Sequence, residues 1–163
     1  MNIEEDISFH FIARLRHHED ELGLIIKGHL FVEFVVNQVI LKRCKSPKTI
    51  LNDHRAYPFS VKLQMVYSMS LLPNHIYQNI RKINRIRNEL AHNLEVDNKK
   101  IDFTLCREDG KDASIKAAIK KANRRYPERY YIKMLCLITL NQLRNYFMKE
   151  YGEFPEYEPD KRE

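Results

Sequence analysis

Apolar residues recur at spacings of three and four along most of this chain, and the clearest run is Ile76, Ile80, Ile83, Ile86, Leu90 and Leu94. That period belongs to an amphipathic helix and predicts one from about Asn74 to Glu95, with Pro73 breaking the chain before it and Asn74 placed to cap it. Upstream, Ile7, Phe11, Ile12 and Leu15 share one side of a helix from Glu4 to His18. A second helix, from about Glu19 to Cys44, is apolar around nearly its whole circumference, which predicts a position at the centre of a bundle. Ser46-Pro47 ends it, and Ser46 is placed to cap a short turn through Leu51. Val61, Leu63, Met65, Val66, Met69 and Leu72 mark a helix from Phe59 to Leu72. After a polar break at Asp97 to Lys100, residues Ile101 to Leu105 alternate as a short extended segment does. Gly110 marks a turn, Asp112 to Arg125 a basic helix, and Pro127 the start of a last long helix through Tyr151. No repeat and no βαβ alternation is present, so the pattern predicts an all-α bundle of four to five main helices. One domain spans residues 1–151, followed by a disordered acidic tail over 152–163.

Composition narrows the class. Four Gly, six Pro and no Trp in 163 residues favour long helices over a turn-rich β fold. The most apolar stretch, Leu30 to Leu41, is interrupted by Glu33, Asn37 and Gln38 and is too short and too polar to span a bilayer. The acidic start at Glu4, Glu5 and Asp6 is unlike a signal peptide, so a cytoplasmic protein with no membrane partner is expected. Cys44, Cys106 and Cys136 are odd in number and widely spaced, which argues against disulfides or a zinc site. Neither a metal nor another cofactor is expected. Net charge is +6, and because the last eleven residues hold five acids and two bases, the chain before them carries +9. A basic body of this kind suits a polyanionic partner such as RNA.

The chemistry centres on Arg87, Asn88 and His92. Arg binds phosphate oxygens through a planar fork, and His can move a proton near neutral pH. On an ideal helix with Ile83 at zero, Arg87 falls at roughly 40°, inside the apolar stripe, and His92 at roughly 180°. An arginine so placed needs an acid partner or a cleft beside the stripe. The two side chains are about 140° apart and cannot share one face of a straight helix, but a second copy of the helix can bring them together in a two-fold dimer. His29, Glu33 and Asn37 form one polar line along the apolar second helix, which makes Glu33 the expected partner of Arg87, with His29 in the same network. That network suits a buried ion pair fixing helix register as well as it suits a functional site. Arg81, Lys82 and Arg85 on the same helix, and Lys120, Lys121, Arg124 and Arg125 beyond it, are candidate RNA-phosphate contacts, with Tyr126, Tyr130 and Tyr131 as stacking surfaces.

The segment from Ile83 to His92, with Arg87-Asn88 and a His five positions after the Arg, resembles the signature of the HEPN superfamily. The stretch from Phe59 to Asn93 is most similar to its mannitol operon repressor-like branch. The resemblance covers residues 20–95. It implies an all-α homodimer and, in many members, a metal-independent ribonuclease. Arg87 and His92 would then be catalytic, with Asn88, Glu33 and His29 supporting them. Attack by a ribose 2′-hydroxyl on the adjacent phosphorus would leave a cyclic phosphate and a 5′-hydroxyl. An endonuclease of toxin or phage-defence type, held in check by an antitoxin or regulatory partner, is the first expectation. A non-catalytic regulator or nucleotide-binding module of the repressor-like branch is the second. Toxins of this superfamily that are silenced by nucleotidylation carry Tyr two residues after the His, and Leu94 stands there in this chain.

Overall fold

The computed structural model describes residues 20–92, 101–121, 128–152 and 154. The expected helix over 4–18 and the break at 97–100 lie outside them. Six helices and one two-stranded sheet are present among the described residues: α1 (Glu21–Arg43), α2 (Pro47–Asn52), α3 (Phe59–Ser68), α4 (Asn74–His92), β1 (Thr104–Leu105), β2 (Ala113–Ser114), α5 (Ile115–Lys121) and α6 (Glu128–Tyr151). The fold is all-α.

Helix α1 is the hub. The Asp20 carboxylate accepts from the Gly23 amide, which caps its start, while Lys42 and Arg43 sit in its last turn, where a cation opposes the helix dipole. It packs against α2, α3, α4 and α6 and buries residues on nearly every side, among them Leu24, Ile25, Phe31, Val32, Val35, Val36, Val39 and Ile40. At 23 residues it is longer than the apolar stretch within it and, by length and composition alone, could cross a bilayer; more than half of that window is buried inside the bundle. One close approach fixes how α1 meets α6. A Cβ on Gly28 would lie 2.4 Å from Cys136 Sγ, so glycine is what lets the helices approach here. Cys136 is fully enclosed, and burial pushes its thiol up to about 12. All three cysteines are free thiols.

Helix α3 ends at Ser68, short of the expected Leu72. Ser70 takes a left-handed backbone (φ 57°), and the amides of Ser70 and Leu71 bond back to the carbonyls of Tyr67 and Val66. This is the paired bonding of a Schellman stop, made with a serine where glycine is usual. Helix α4 then starts directly from Pro73, whose carbonyl accepts from the Tyr77 amide, so the cap is Pro73 rather than Asn74. Ser46 likewise makes no side-chain cap to α2. The isoleucines of α4 behave as their spacing predicts: Ile76, Ile80, Ile83 and Ile86 are all buried.

The segment between α4 and α6 departs from a plain helix. β1 pairs antiparallel with β2, Thr104 opposite Ser114 and Leu105 opposite Ala113, so the expected helix from Asp112 begins only at Ile115. Asn79, with no exposed surface, holds this segment to the bundle. Its Oδ1 accepts from the Cys106 amide at 2.8 Å and its Nδ2 donates to the Cys106 carbonyl at 2.9 Å and to Gln142 Oε1 at 2.8 Å. The Asn79 side chain thus pairs with both main-chain groups of one residue, as a neighbouring antiparallel strand would. At the far end of α6, Phe154 packs against Phe31 and Phe147, so at this one position the expected tail is docked; the rest of 153–163 lies outside the described residues.

Replacing Asn79 by Ala leaves the Cys106 amide without its acceptor and the Cys106 carbonyl with Gln142 Nε2 alone, at 3.2 Å. A loss of about 2–4 kcal/mol is expected from a urea denaturation midpoint, with faster amide exchange over 101–121 than over α1. Unchanged exchange in that segment would show that the bridge does not anchor it.

Candidate functional site

The rotation of α4 set by its isoleucines sorts its other side chains into sectors. Around the axis from Ile83, Asn79 and Lys82 fall to one side of the stripe at roughly −40° and −100°, facing β1 and α6. Arg87 falls at roughly +40° and Asn84 at roughly +100°, toward α1 and α3. Beyond them, Tyr77, Asn88, Arg81, His92, Arg85 and Glu89 occupy roughly 120° to 240°.

This last sector forms one wall of a cleft of about 490 Å³ between α3 and α4, lined by Ser60, Leu63 and Gln64 from α3 and Tyr77, Arg81, Asn84, Arg85, Asn88 and Glu89 from α4. Its floor is aromatic. Tyr77 stacks on Tyr67 with ring centroids 4.1 Å apart, and its hydroxyl donates to Gln64 Oε1. The Arg81 guanidinium lies 5.6 Å above the Tyr77 ring, a cation–π contact that leaves the charge in the cleft mouth. Arg85 Nε donates to Glu89 Oε1 at 2.8 Å, so that cation is paired.

Behind the cleft lies His29, 4% exposed. Its Nε2 bonds Asn84 Oδ1 at 2.9 Å, its Nδ1 is 3.8 Å from Glu33, and its ring meets Phe59 edge-on at 4.5 Å. Burial lowers the His29 pKa below the ordinary imidazole value, against the pull of Glu33 and with the help of the Arg87 charge. The ring is therefore neutral near pH 7 and, with its proton on Nε2, donates to Asn84.

Arg87 is where the structure overturns a sequence expectation. Among the described residues no carboxylate lies within ion-pairing distance of it, and Glu33 faces His29 instead. Arg87 Nη1 donates to Asn88 Oδ1 at 2.8 Å. Glu33 lies one turn from His29 on α1, and this i, i+4 spacing sets the two side by side. Arg87 is half-buried and uses the other option open to it, the edge of the stripe beside the cleft. His92 is exposed at the last position of α4, one turn beyond Asn88 on the cleft sector.

The remaining candidates divide. Arg81 and Arg85 line the cleft with Asn88. Lys82 does not, since its ammonium donates to the Thr104 carbonyl and pairs with Asp102 at 3.3 Å, tying α4 to β1. Lys120 and Lys121 are exposed on α5, on a different element from the cleft, and Arg124 and Arg125 lie outside the described residues. Tyr131 is no free stacking surface, because it packs on Phe103 at 5.5 Å with Lys116 above both rings. Ser60, Gln64, Tyr77 and Asn84 were missed. The wheel that separated Arg87 from His92 also gathers Tyr77, Arg81, Asn84 and Asn88 on one side, which was the available signal. No group of His, Cys, Asp and Glu suited to a metal ion occurs among the described residues.

No family model matches this chain, and neither a curated protein nor a solved structure matches it significantly.

The buried His29 gives a pH signature. Its folded pKa is depressed below about 6.5, so the unfolded chain binds more protons below that pH. The stability due to neutral His29 is complete above about pH 6.5 and declines as pH falls toward its folded pKa. Denaturation midpoints of wild type should drop between pH 7 and 5, and those of His29→Gln should drop less. Parallel pH profiles would show that His29 does not carry the dependence.

Proposed function

We propose that this chain is a metal-independent RNA endonuclease of toxin or phage-defence type, acting in the cytoplasm as a homodimer through a composite Arg87/His92 site. The observation that carries the reading is the state of Arg87. Its guanidinium has no carboxylate partner among the described residues and is held on Asn88, at the edge of a donor-lined cleft whose face leads to the exposed His92. A cation kept free of carboxylates and oriented by a neutral amide suits an anion that arrives with a substrate.

In this reading His92 takes the proton of a ribose 2′-hydroxyl as the oxygen attacks the adjacent phosphorus. Arg87 binds the two phosphoryl oxygens as charge builds on them. The proton that His92 has taken passes to the departing 5′-oxygen, giving a 2′,3′-cyclic phosphate and a 5′-hydroxyl. The angular separation of the pair on α4 requires the Arg87 of one copy to act with the His92 of the other. Arrangement as a toxin implies a partner protein that silences it.

Purified protein should cut RNA in EDTA, and Arg87→Ala and His92→Ala should each slow this by roughly 10²-fold or more. Mixing the two dead variants supplies one intact composite site per heterodimer, so up to about a quarter of wild-type activity should return. Variants that cut as well as wild type would sink the ribonuclease reading, and failure of the mixture to recover would sink the composite site.

A further inference from the structure

The cleft between α3 and α4 has an unequal stock of hydrogen-bonding groups. Most of its acceptors are occupied from within: Gln64 Oε1 by the Tyr77 hydroxyl, Asn84 Oδ1 by His29, Asn88 Oδ1 by Arg87, and Glu89 Oε1 by Arg85. An amide whose oxygen is held on one side must present its nitrogen on the other. Asn84 and Asn88, one turn apart, therefore offer NH₂ groups that make no bond to the described residues, and Arg81 adds a guanidinium with no carboxylate partner there. The acceptors left are the second oxygen of Glu89 and the Ser60 hydroxyl. A ligand that fits such a wall is anionic and rich in acceptors.

We propose that this cleft seats one nucleotide of a single-stranded RNA, its phosphate on Arg81 and the carbonyl edge of a keto base, uracil or guanine, on the Asn84 and Asn88 amides. The proposal rests on the ribonuclease reading for the choice of RNA and gives that reading its base preference. The volume of about 490 Å³ is that of a small-ligand pocket. By helical rise Asn88 lies about 6 Å along the axis from His92 and Arg81 about 16 Å, so the seated nucleotide is a neighbour of the one cleaved. Adenine and cytosine present an exocyclic amine where uracil and guanine present oxygen, and an amine set against amide nitrogens leaves donors facing donors. Discrimination comes from unpaired polar groups on the wrong base.

The test is binding of 2′-O-methyl hexauridylate, which lacks the attacking hydroxyl, compared with 2′-O-methyl hexacytidylate and uridine 5′-monophosphate by fluorescence anisotropy and competition. Hexauridylate should bind roughly two- to tenfold tighter than hexacytidylate and at least as much tighter than the mononucleotide. Arg81→Gln, at an exposed position, should weaken hexauridylate roughly tenfold and lower the salt slope by about one. Asn84→Asp keeps an oxygen for His29 but replaces the donors with a carboxylate, and should lose the preference for uracil; an unchanged thermal melt separates this from misfolding. Equal binding of the two oligomers, an unaffected Arg81→Gln variant, or a mononucleotide that binds as tightly as the strand overturns the proposal. Cleavage of ordinary RNA is scored apart. Binding with the uracil preference but no cleavage retires the ribonuclease reading and leaves the subsite. Cleavage without the preference does the reverse.

Discussion

Four isoleucines on α4 decide where everything else in this molecule stands. Ile76, Ile80, Ile83 and Ile86 are buried, and turning the helix about its axis would bring apolar side chains into water at a cost of roughly 1.5–3 kcal/mol each. With that rotation fixed, the helix has two functional flanks. One carries Asn79 and Lys82 to β1 and α6; the other carries Asn84, Arg81 and Asn88 to the cleft. Arg87 lies where the stripe meets the second flank, close enough to His29 for its charge to oppose protonation of the ring, yet able to reach Asn88.

The cleft's polarity is inherited from behind it. His29 stays neutral because burial outweighs the attraction of Glu33, and through Nε2 it decides which end of the Asn84 amide faces outward. Arg87 does the same for Asn88. Two side chains that do not line the cleft thus set the chemical character of its wall. The core is continuous with the site in this sense, and changes at positions 29 or 33 reach it without touching it.

Much of the helix pattern was legible because burial on α4 follows one period, and the all-α class followed from long apolar runs with few breakers. The ends were less so. The stop at Ser68 depends on a left-handed serine, which no glycine announces, and β2 is a strand only because β1 lies beside it, with just Ala113 and Ser114 to show for it. The pairing of Glu33 with Arg87 failed because a shared facing on a helical wheel does not by itself bring two side chains within reach; Glu33 stands beside His29 and Arg87 is held by Asn88. Arg81, Arg85 and Asn88 were found as candidates through charge and motif. Asn84 and Gln64 were missed because neutral amides gain a direction only from the partners that hold them. Lys82 shows the opposite error, a cation on a basic helix whose charge is used at home on Asp102.

The Asn79 bridge makes the chain unequally forgiving of change. Both of its bonds to residue 106 go to main-chain atoms, so any side chain that fits can occupy that position without breaking them, and the hairpin around Gly110 can vary in content while keeping its attachment. Position 79 has no such latitude. Only an asparagine of that length offers one donor and one acceptor side by side at the spacing of a peptide group. A single letter in α4 therefore frees a whole surface segment to diverge, and lets the side of the helix away from the cleft acquire new contacts while the cleft itself stays still.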